Sequence, residues 1–345
     1  MVNGMERIAI KNWKDLAIEK WSSLILGNGA SIAVHQEFAY KTLRGIAEAK
    51  GLLASTTPIF NKLGTTDFEH VLLACWYAEH VNVALETPST AISAAYKEVR
   101  SALIEAVHSV HPAHADVAAD LERIGEFASA FPTVVSLNYD LTLYWAMLLF
   151  NATNGSWFKD VFHHGEFQPD WGYLRSPHPP ARGATLVFYP HGSLALARDY
   201  IGEETKISAG IGGAGGLLDA IILRWSSGTH VPVFVSEGTS KQKLAAIRRS
   251  CYLTNVYEEA LSDLGENLVV YGWSFDERDQ HLLDAIAKTR PKQIAVSVFT
   301  DQPDKDQQAY CHLVLKAVSQ SLPKTTITFF DSHSPGCWNN PFTED

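Results

Sequence analysis

Four short apolar runs, each ending abruptly in polar residues, set the pattern of this 345-residue chain. Residues 22–31, SSLILGNGAS, read as an apolar strand running straight into Gly27, Asn28, Gly29, Ala30 and Ser31. Residues 131–140, FPTVVSLNYD, place a strand over 133–137 with Asn138, Tyr139 and Asp140 at its carboxyl end. Residues 184–193, ATLVFYPHGS, place one over 185–189 that delivers His191 and Gly192. Residues 268–275, LVVYGWSF, give a strand followed by Gly272, Ser274 and then Asp276. From residue 231 the pattern alternates, with strands over 231–235, 268–271, 294–299 and 325–330 and helices within 241–264 and over 279–287 and 305–319. Strands alternating with helices of this length imply right-handed crossovers and a parallel sheet. The expected fold is therefore α/β, a Rossmann-like parallel sheet with helices on both faces.

Elsewhere the period changes. Residues 6–21 predict a leading helix that packs through Trp13, Leu16, Ile18 and Trp21. Residues 38–125 carry apolar positions at three and four spacing, in FEHVLLACWYAEHVNVAL and AISAAYKEVRSALIEAVHSV. They predict a mostly helical insertion, placed to cover the ligand crevice, in a core made of 1–37 and 126–345. Residues 140–150 begin a helix that Asp140 is placed to cap. Residues 151–183, rich in Gly, Pro, His and aromatics, have no period and predict a long irregular excursion. Residues 210–216, GIGGAGG, predict a hinge or surface loop ahead of a helix over 217–226.

In an open α/β sheet ligands bind beyond the carboxyl ends of the strands, so the polar residues that end these runs converge on one crevice. The two glycines of the first turn let the backbone bend tightly and approach a ligand with no Cβ in the way. A helix starting near Ala30 would aim its unpaired N–H groups at a pyrophosphate. The competing reading is a plain tight strand-to-helix connection.

The order of these motifs resembles the sirtuin family, and more closely its divergent branch of bacterial NAD-consuming defence proteins. GNGAS at 27–31 matches the family's glycine-rich first turn, LNYD at 137–140 its Asn-x-Asp segment, and HG at 191–192 its catalytic histidine. EGTS at 237–240, with Gly238, Thr239 and Ser240, and GWSFDE at 272–277 match the later ribose and phosphate loops. The resemblance implies NAD as the substrate and catalysis by Asn138 and His191. It also implies a role in antiphage defence by NAD depletion, within a homo-oligomer or beside a defence partner protein. Two features depart from the family. Deacetylating sirtuins hold zinc with paired CxxC motifs, whereas Cys75, Cys251, Cys311 and Cys337 are isolated here. The family's Asp-Phe-Arg loop has its nearest match far downstream at Asp67, Phe68 and Glu69, without the arginine.

Composition narrows the partners. A net charge of −10 and the lack of a basic run argue against a nucleic-acid groove. No uninterrupted apolar stretch of about 18 residues occurs, and no signal-peptide pattern, so the expectation is a soluble, cytoplasmic protein away from membranes. Isolated cysteines fit a reducing compartment. His70, His80, His108, His111 and His114 lack metal spacing with carboxylate or thiolate partners, so no metal is expected.

The chemistry follows from residue types. Nicotinamide departs through an oxocarbenium-like state as a neutral leaving group, which demands an oriented ribose and a polarised nucleophile more than acid help. Asn138, uncharged and both donor and acceptor, suits a ribose hydroxyl or an attacking water. His191 titrates near neutrality and suits proton abstraction. Asp140 orients the ribose or caps its helix; Thr239 and Ser240 bind phosphate or cap the helix opening at Lys241; Ser274 stands likewise. Asp67 and Glu69 read as charges at a helix start. His164–Gly165 is a second HG pair, without a convincing strand before it. Without paired cysteines to build a peptide cleft, water is the expected acceptor and NAD⁺ hydrolysis the expected reaction. A deacylase or ADP-ribosyltransferase is the first rival. A non-catalytic NAD or ADP-ribose sensor is the second.

Overall fold

The computed structural model describes residues 7–39, 42–199, 201–209, 213–235 and 237–342. In chain order the strands are β1 (Ile10–Lys11), β2 (Ser23–Leu26), β3 (Thr133–Ser136), β4 (Phe158–Lys159), β5 (Phe162–His163), β6 (Glu166–Phe167) and β7 (Thr185–Phe188). They continue with β8 (Gly192–Asp199), β9 (Glu204–Lys206), β10 (His230–Phe234), β11 (Asn267–Tyr271), β12 (Gln293–Val298) and β13 (Thr326–Asp331). The helices are α1 (Asn28–Val34), α2 (Leu43–Ala49), α3 (Thr57–Leu63), α4 (Phe68–Ala84), α5 (Thr90–Val110) and α6 (His114–Ser129). After them come α7 (Thr142–Asn154), α8 (Leu217–Ser226), α9 (Ser240–Ile247), α10 (Cys251–Glu258), α11 (Gln280–Ile286) and α12 (Asp304–Ser321).

Eight strands form one sheet in the order β1-β13-β12-β11-β2-β3-β7-β4, with every neighbouring pair parallel. The central strands read SLIL, TVVS and TLVF and are buried at every position. Continuous apolar strands of this kind belong to a parallel sheet covered on both faces. Register is set in the middle, where Leu24 lies opposite Val134 on one side and Val269 on the other. The order reverses at β2: the chain steps outward through β3 and β7, then returns to β11 on the other side and steps outward again. This is the topological switch point, where an open α/β sheet leaves its ligand crevice. The fold is thus α/β and Rossmann-like, its central sheet flanked by helices.

Several local expectations differ from what the chain does. Residues 10–16 form the short edge strand β1 and a single 3-10 turn over Trp13–Asp15 in place of a leading helix. Asn12 caps that turn, and Trp13, Leu16 and Trp21 are buried while Ile18 is 87% exposed. The stretch over 151–183 is not irregular throughout: β4 joins the main sheet, and β5 and β6 pair as a hairpin. That hairpin belongs to a second, antiparallel sheet, β10-β8-β9-β6-β5. β10 therefore pairs antiparallel with β8 and does not continue the parallel alternation. Eight-residue β8, which starts immediately after His191, had no counterpart in the sequence pattern. Its run of Leu194, Ala195, Leu196 and Ala197 is buried on both faces, so it shows no alternation to read.

The helical block over 38–125 contains α2 to α5 and most of α6. Phe60, Val71, Leu103 and Ile124 from these helices share one hydrophobic core with Leu24, Val134 and Leu186 of the sheet. Of the glycine-rich loop over 210–216, residues 210–212 lie outside the described residues; 214–216 form a 3-10 turn that leads into α8. Among the described residues no helix is long and apolar enough to cross a membrane.

Candidate functional site

A cavity of about 1330 Å³ runs along the carboxyl edge of the sheet. It is lined by residues that follow five successive strands: His191 after β7, Asn138 and Asp140 after β3, Gly27 to Gly29 after β2, Gly272 to Ser274 after β11, and Phe299 after β12. Thr42 and Leu43 at the start of α2 also line it, so the helical block does reach the crevice. A second cavity of about 1130 Å³ lies at the amino ends of the same strands, beside Ser22, Thr133 and Gly265, and holds none of the motif residues.

The first turn is built against its neighbour. A Cβ on Gly27 would stand 2.5 Å from Trp273 Cα, and one on Gly29 would stand 2.8 Å from Gly272 Cα. Gly272 in turn has φ +69°, and a Cβ there would meet the Ala30 nitrogen at 2.4 Å. Close backbone approach between β2 and β11 at the switch point therefore demands all three glycines. The helix begins at Asn28, earlier than expected. Its amides are partly spoken for: Gly27 N–H donates to Tyr271 O, Gly29 N–H to Gly272 O at 2.8 Å and Ala30 N–H to Gly27 O. Glycine–glycine packing thus explains the motif at least as much as an anion does. Ala30 is fully buried, with Trp338 Nε1 donating to its carbonyl at 2.8 Å, and Asn28 Nδ2 donates to Phe38 O.

Asn138 and Asp140 fasten β3 to this turn. Asn138 Nδ2 donates to the Gly27 carbonyl and to Ser31 Oγ, both at 2.9 Å. Ser31 Oγ donates to Asp140 Oδ2 at 2.5 Å, and Asp140 Oδ1 accepts from Thr142 N–H at 2.9 Å. Asp140 thus secures the start of α7 and the first turn together. Ser31 is buried under the turn and holds two motifs in register.

His191 sits between the two sheets, where the chain leaves β7 and enters β8. Gly192 has φ +75° and packs so closely on β10 that a Cβ would lie 2.2 Å from Val233 O, which fixes the turn that presents His191. The His191 imidazole is buried, with Nε2 at 3.0 Å from His281 Nε2 and 3.9 Å from Asp279 Oδ1. Lys243 Nζ donates to Asp279 Oδ1 at 2.7 Å. Burial, and after it the Lys243 ammonium, brings the His191 imidazole down to about 3. Burial likewise lowers His281, to about 4. Asp279 is held below its ordinary value although burial opposes its charge, because His191 and Lys243 stand beside it. Both imidazoles are neutral at physiological pH, next to an ammonium–carboxylate pair.

Sequence reading missed His281, Asp279 and Lys243. The signal was Asp-x-His at 279–281, shortly after the GWSF segment, which only the fold brings to His191. Donor atoms of His191, Asp279 and His281 lie within 4.8 Å of one another, the grouping best suited to a cation among the described residues. Lys243 already supplies positive charge to that carboxylate, and the two Nε2 atoms are at hydrogen-bonding distance. The arrangement is charge-balanced as it stands.

The loop over 237–240 behaves differently from expectation. Thr239 caps α9, its hydroxyl accepting from Gln242 N–H while Gln242 Oε1 accepts from Thr239 N–H. Gly238 has φ +108°, and neither residue lines the cavity. Ser240 is turned toward His281, its Oγ accepting from the His281 N–H at 3.0 Å. Glu237 does line the cavity, accepts from Arg44 N–H, and is pushed up to about 7 by burial. Asp67 caps the start of α4 through Glu69 N–H, and Glu69 faces Arg198 at 3.7 Å. His164–Gly165 forms the β5–β6 turn, outside the cavity lining. All four cysteines are free.

One family model covers nearly all of this architecture, matching residues 24–338, from β2 through the segment after β13. The chain belongs to the DUF4917 family, a domain of unknown function. No curated protein matches it. The DUF4917 match spans the cavity lining from Gly27 to His333, and Asn339 and Asn340, which also line it, follow just after the matched stretch.

Proposed function

We propose that the protein hydrolyses NAD⁺ to nicotinamide and ADP-ribose, as its resemblance to sirtuin-like NAD-consuming proteins implies. The observation that carries this reading is a single cavity at the switch point that joins Gly27–Gly29, Asn138 and His191, the three motifs on which the resemblance rests. Its length along the sheet edge, from His191 to His333, suits an extended dinucleotide. Water attacks the anomeric carbon of the nicotinamide ribose. The carbon–nitrogen bond breaks, nicotinamide leaves with the electron pair, and the proton lost by water passes to His191.

His191 is neutral at physiological pH, so its imidazole has a lone pair to receive that proton. Asn138 spends its two amide hydrogens on the first turn, which leaves Oδ1 to accept from the water or a ribose hydroxyl. Asp276 and Arg278 line the same cavity as a salt-bridged pair. By the same resemblance the setting is cytoplasmic antiphage defence through NAD depletion, in a homo-oligomer or beside a partner protein.

The test is incubation of the purified chain with NAD⁺ alone. Nicotinamide release without an acceptor supports hydrolysis, acceptor dependence supports deacylation or ADP-ribosyl transfer, and binding without products supports sensing.

A further inference from the structure

We propose that His281 is a positioning residue for His191 and that the two imidazoles act as one proton-holding unit anchored on Ser240. This deepens the hydrolytic reading and rests on it. His281 does not line the cavity; it stands behind His191, in the first turn of α11. Three contacts fix it there. Ser240 Oγ accepts from its backbone N–H at 3.0 Å and lies 3.1 Å from its Nδ1, and the Tyr257 hydroxyl donates to its carbonyl at 3.0 Å. The remaining ring nitrogen, Nε2, meets His191 Nε2 at 3.0 Å, and both side chains are buried.

Two imidazole nitrogens at that distance share one hydrogen, since two N–H groups or two lone pairs would repel. The pair accommodates one further proton and no more. When water gives its proton to His191 Nδ1, the hydrogen on His191 Nε2 passes to His281 Nε2. His191 is left neutral, and the charge rests on His281, whose Nδ1–H is directed at Ser240 Oγ. The charged groups around the pair suit this transfer. The Asp279 carboxylate is 3.9 Å from His191 Nε2, Lys243 is bonded to Asp279, and Asp284 lies one turn further along the His281 helix. Removing the charge from the cavity wall keeps His191 free of like-charge repulsion toward the cationic nicotinamide ribose.

The experiment compares His281→Gln and His281→Asn with the wild-type full chain, measuring nicotinamide release against pH and the histidine titrations by NMR. Either amide can hydrogen-bond His191 but cannot hold a proton. The expected result is kcat lowered about 10²-fold with KM for NAD⁺ changed less than about twofold. The wild-type rate should be level across the neutral range, whereas the variants, which lose His281 but keep the burial and the Lys243 ammonium that hold His191 down, should begin to lose rate at a higher pH than the wild type. The NMR arm needs no turnover: the two histidines should titrate as a coupled pair in the wild type, and His191 should titrate alone and higher in the variants. A wild-type chain that releases no nicotinamide overturns the hydrolytic reading, while coupled titration in that same chain still supports the pair. The pair is overturned by a His191 titration that His281→Gln leaves unmoved, by an unchanged kcat and pH profile, or by one equivalent of transition metal bound through His281.

Discussion

Asn138 and Gly27, 111 residues apart in sequence, are joined by a 2.9 Å hydrogen bond from the Asn138 amide to the Gly27 carbonyl. The second amide hydrogen goes to Ser31 Oγ, so one side chain clamps the first turn to the end of β3. Asn138→Ala leaves the Gly27 carbonyl without this donor and removes the amide from the cavity. The expected outcome is a loss of about 1–3 kcal/mol in urea denaturation. Nicotinamide release should fall more than about 10²-fold. Asn138→Asp should do no better, because a carboxylate facing a carbonyl supplies no hydrogen. An active Asn138→Ala protein would remove Asn138 from the mechanism.

The glycine contacts make a prediction that separates packing from flexibility. Gly29→Ala places a methyl 2.8 Å from Gly272 Cα and 2.9 Å from Gly272 O, where only backbone movement gives relief. Overpacking of this kind costs about 1–3 kcal/mol. Because the turn itself lines the cavity, NAD⁺ affinity measured by calorimetry should weaken in step with stability. Gly172→Ala is the control: a methyl there meets nothing within 4 Å, and Gly172 has no left-handed φ, so its unfolding midpoint should stay at the wild-type value.

The sheet was legible because its central strands are short, wholly apolar and punctuated by polar residues. Parallel strands covered on both faces must look that way. Asn138, His191, Gly27 and Gly272 were legible for the same reason, since each sits where an apolar run stops. β8 was missed, and the partner of β10 misread, for a related cause. Both are buried, so period alone could not distinguish an antiparallel partner sheet from a continuation of the parallel one. Local propensity at 6–21 favoured a helix, yet Ile10 and Lys11 found a partner in β13, more than 300 residues away. His281 was hidden by distance too: nothing local in an Asp-x-His helix start reveals that a histidine 90 residues earlier will meet it.

Glu69, buried against Arg198 at the start of α4, ties stability to pH. Burial, followed by the Asp67 charge, pushes its carboxyl up from the ordinary 4.5 to about 8, although Arg198 pulls the other way. The folded state therefore keeps a proton that the unfolded chain releases above 4.5. Stability from that proton is complete below 4.5 and is lost as pH rises through about 8. Urea midpoints of the wild type should fall as pH rises from 4.5 to about 8 and level off above it. Glu69→Gln, which stays neutral at every pH, should flatten that decline. Equal slopes in both proteins would show that Glu69 is ionised in the fold.

His191 carries the opposite sign. Burial, then Lys243, lowers its imidazole to about 3, so the folded state refuses a proton that the unfolded chain accepts below 6.5. Stability is therefore complete above 6.5 and declines as pH falls from there toward 3. His191→Asn should lessen that acid decline while abolishing nicotinamide release. In the wild type the base stays neutral well below the usual histidine range, so kcat/KM should remain level from about pH 8 to pH 5. A rate that instead halves near 6.5 would mean that His191 titrates as an exposed histidine does. The buried cluster of Lys243, Asp279 and His281 would then not be what controls its proton.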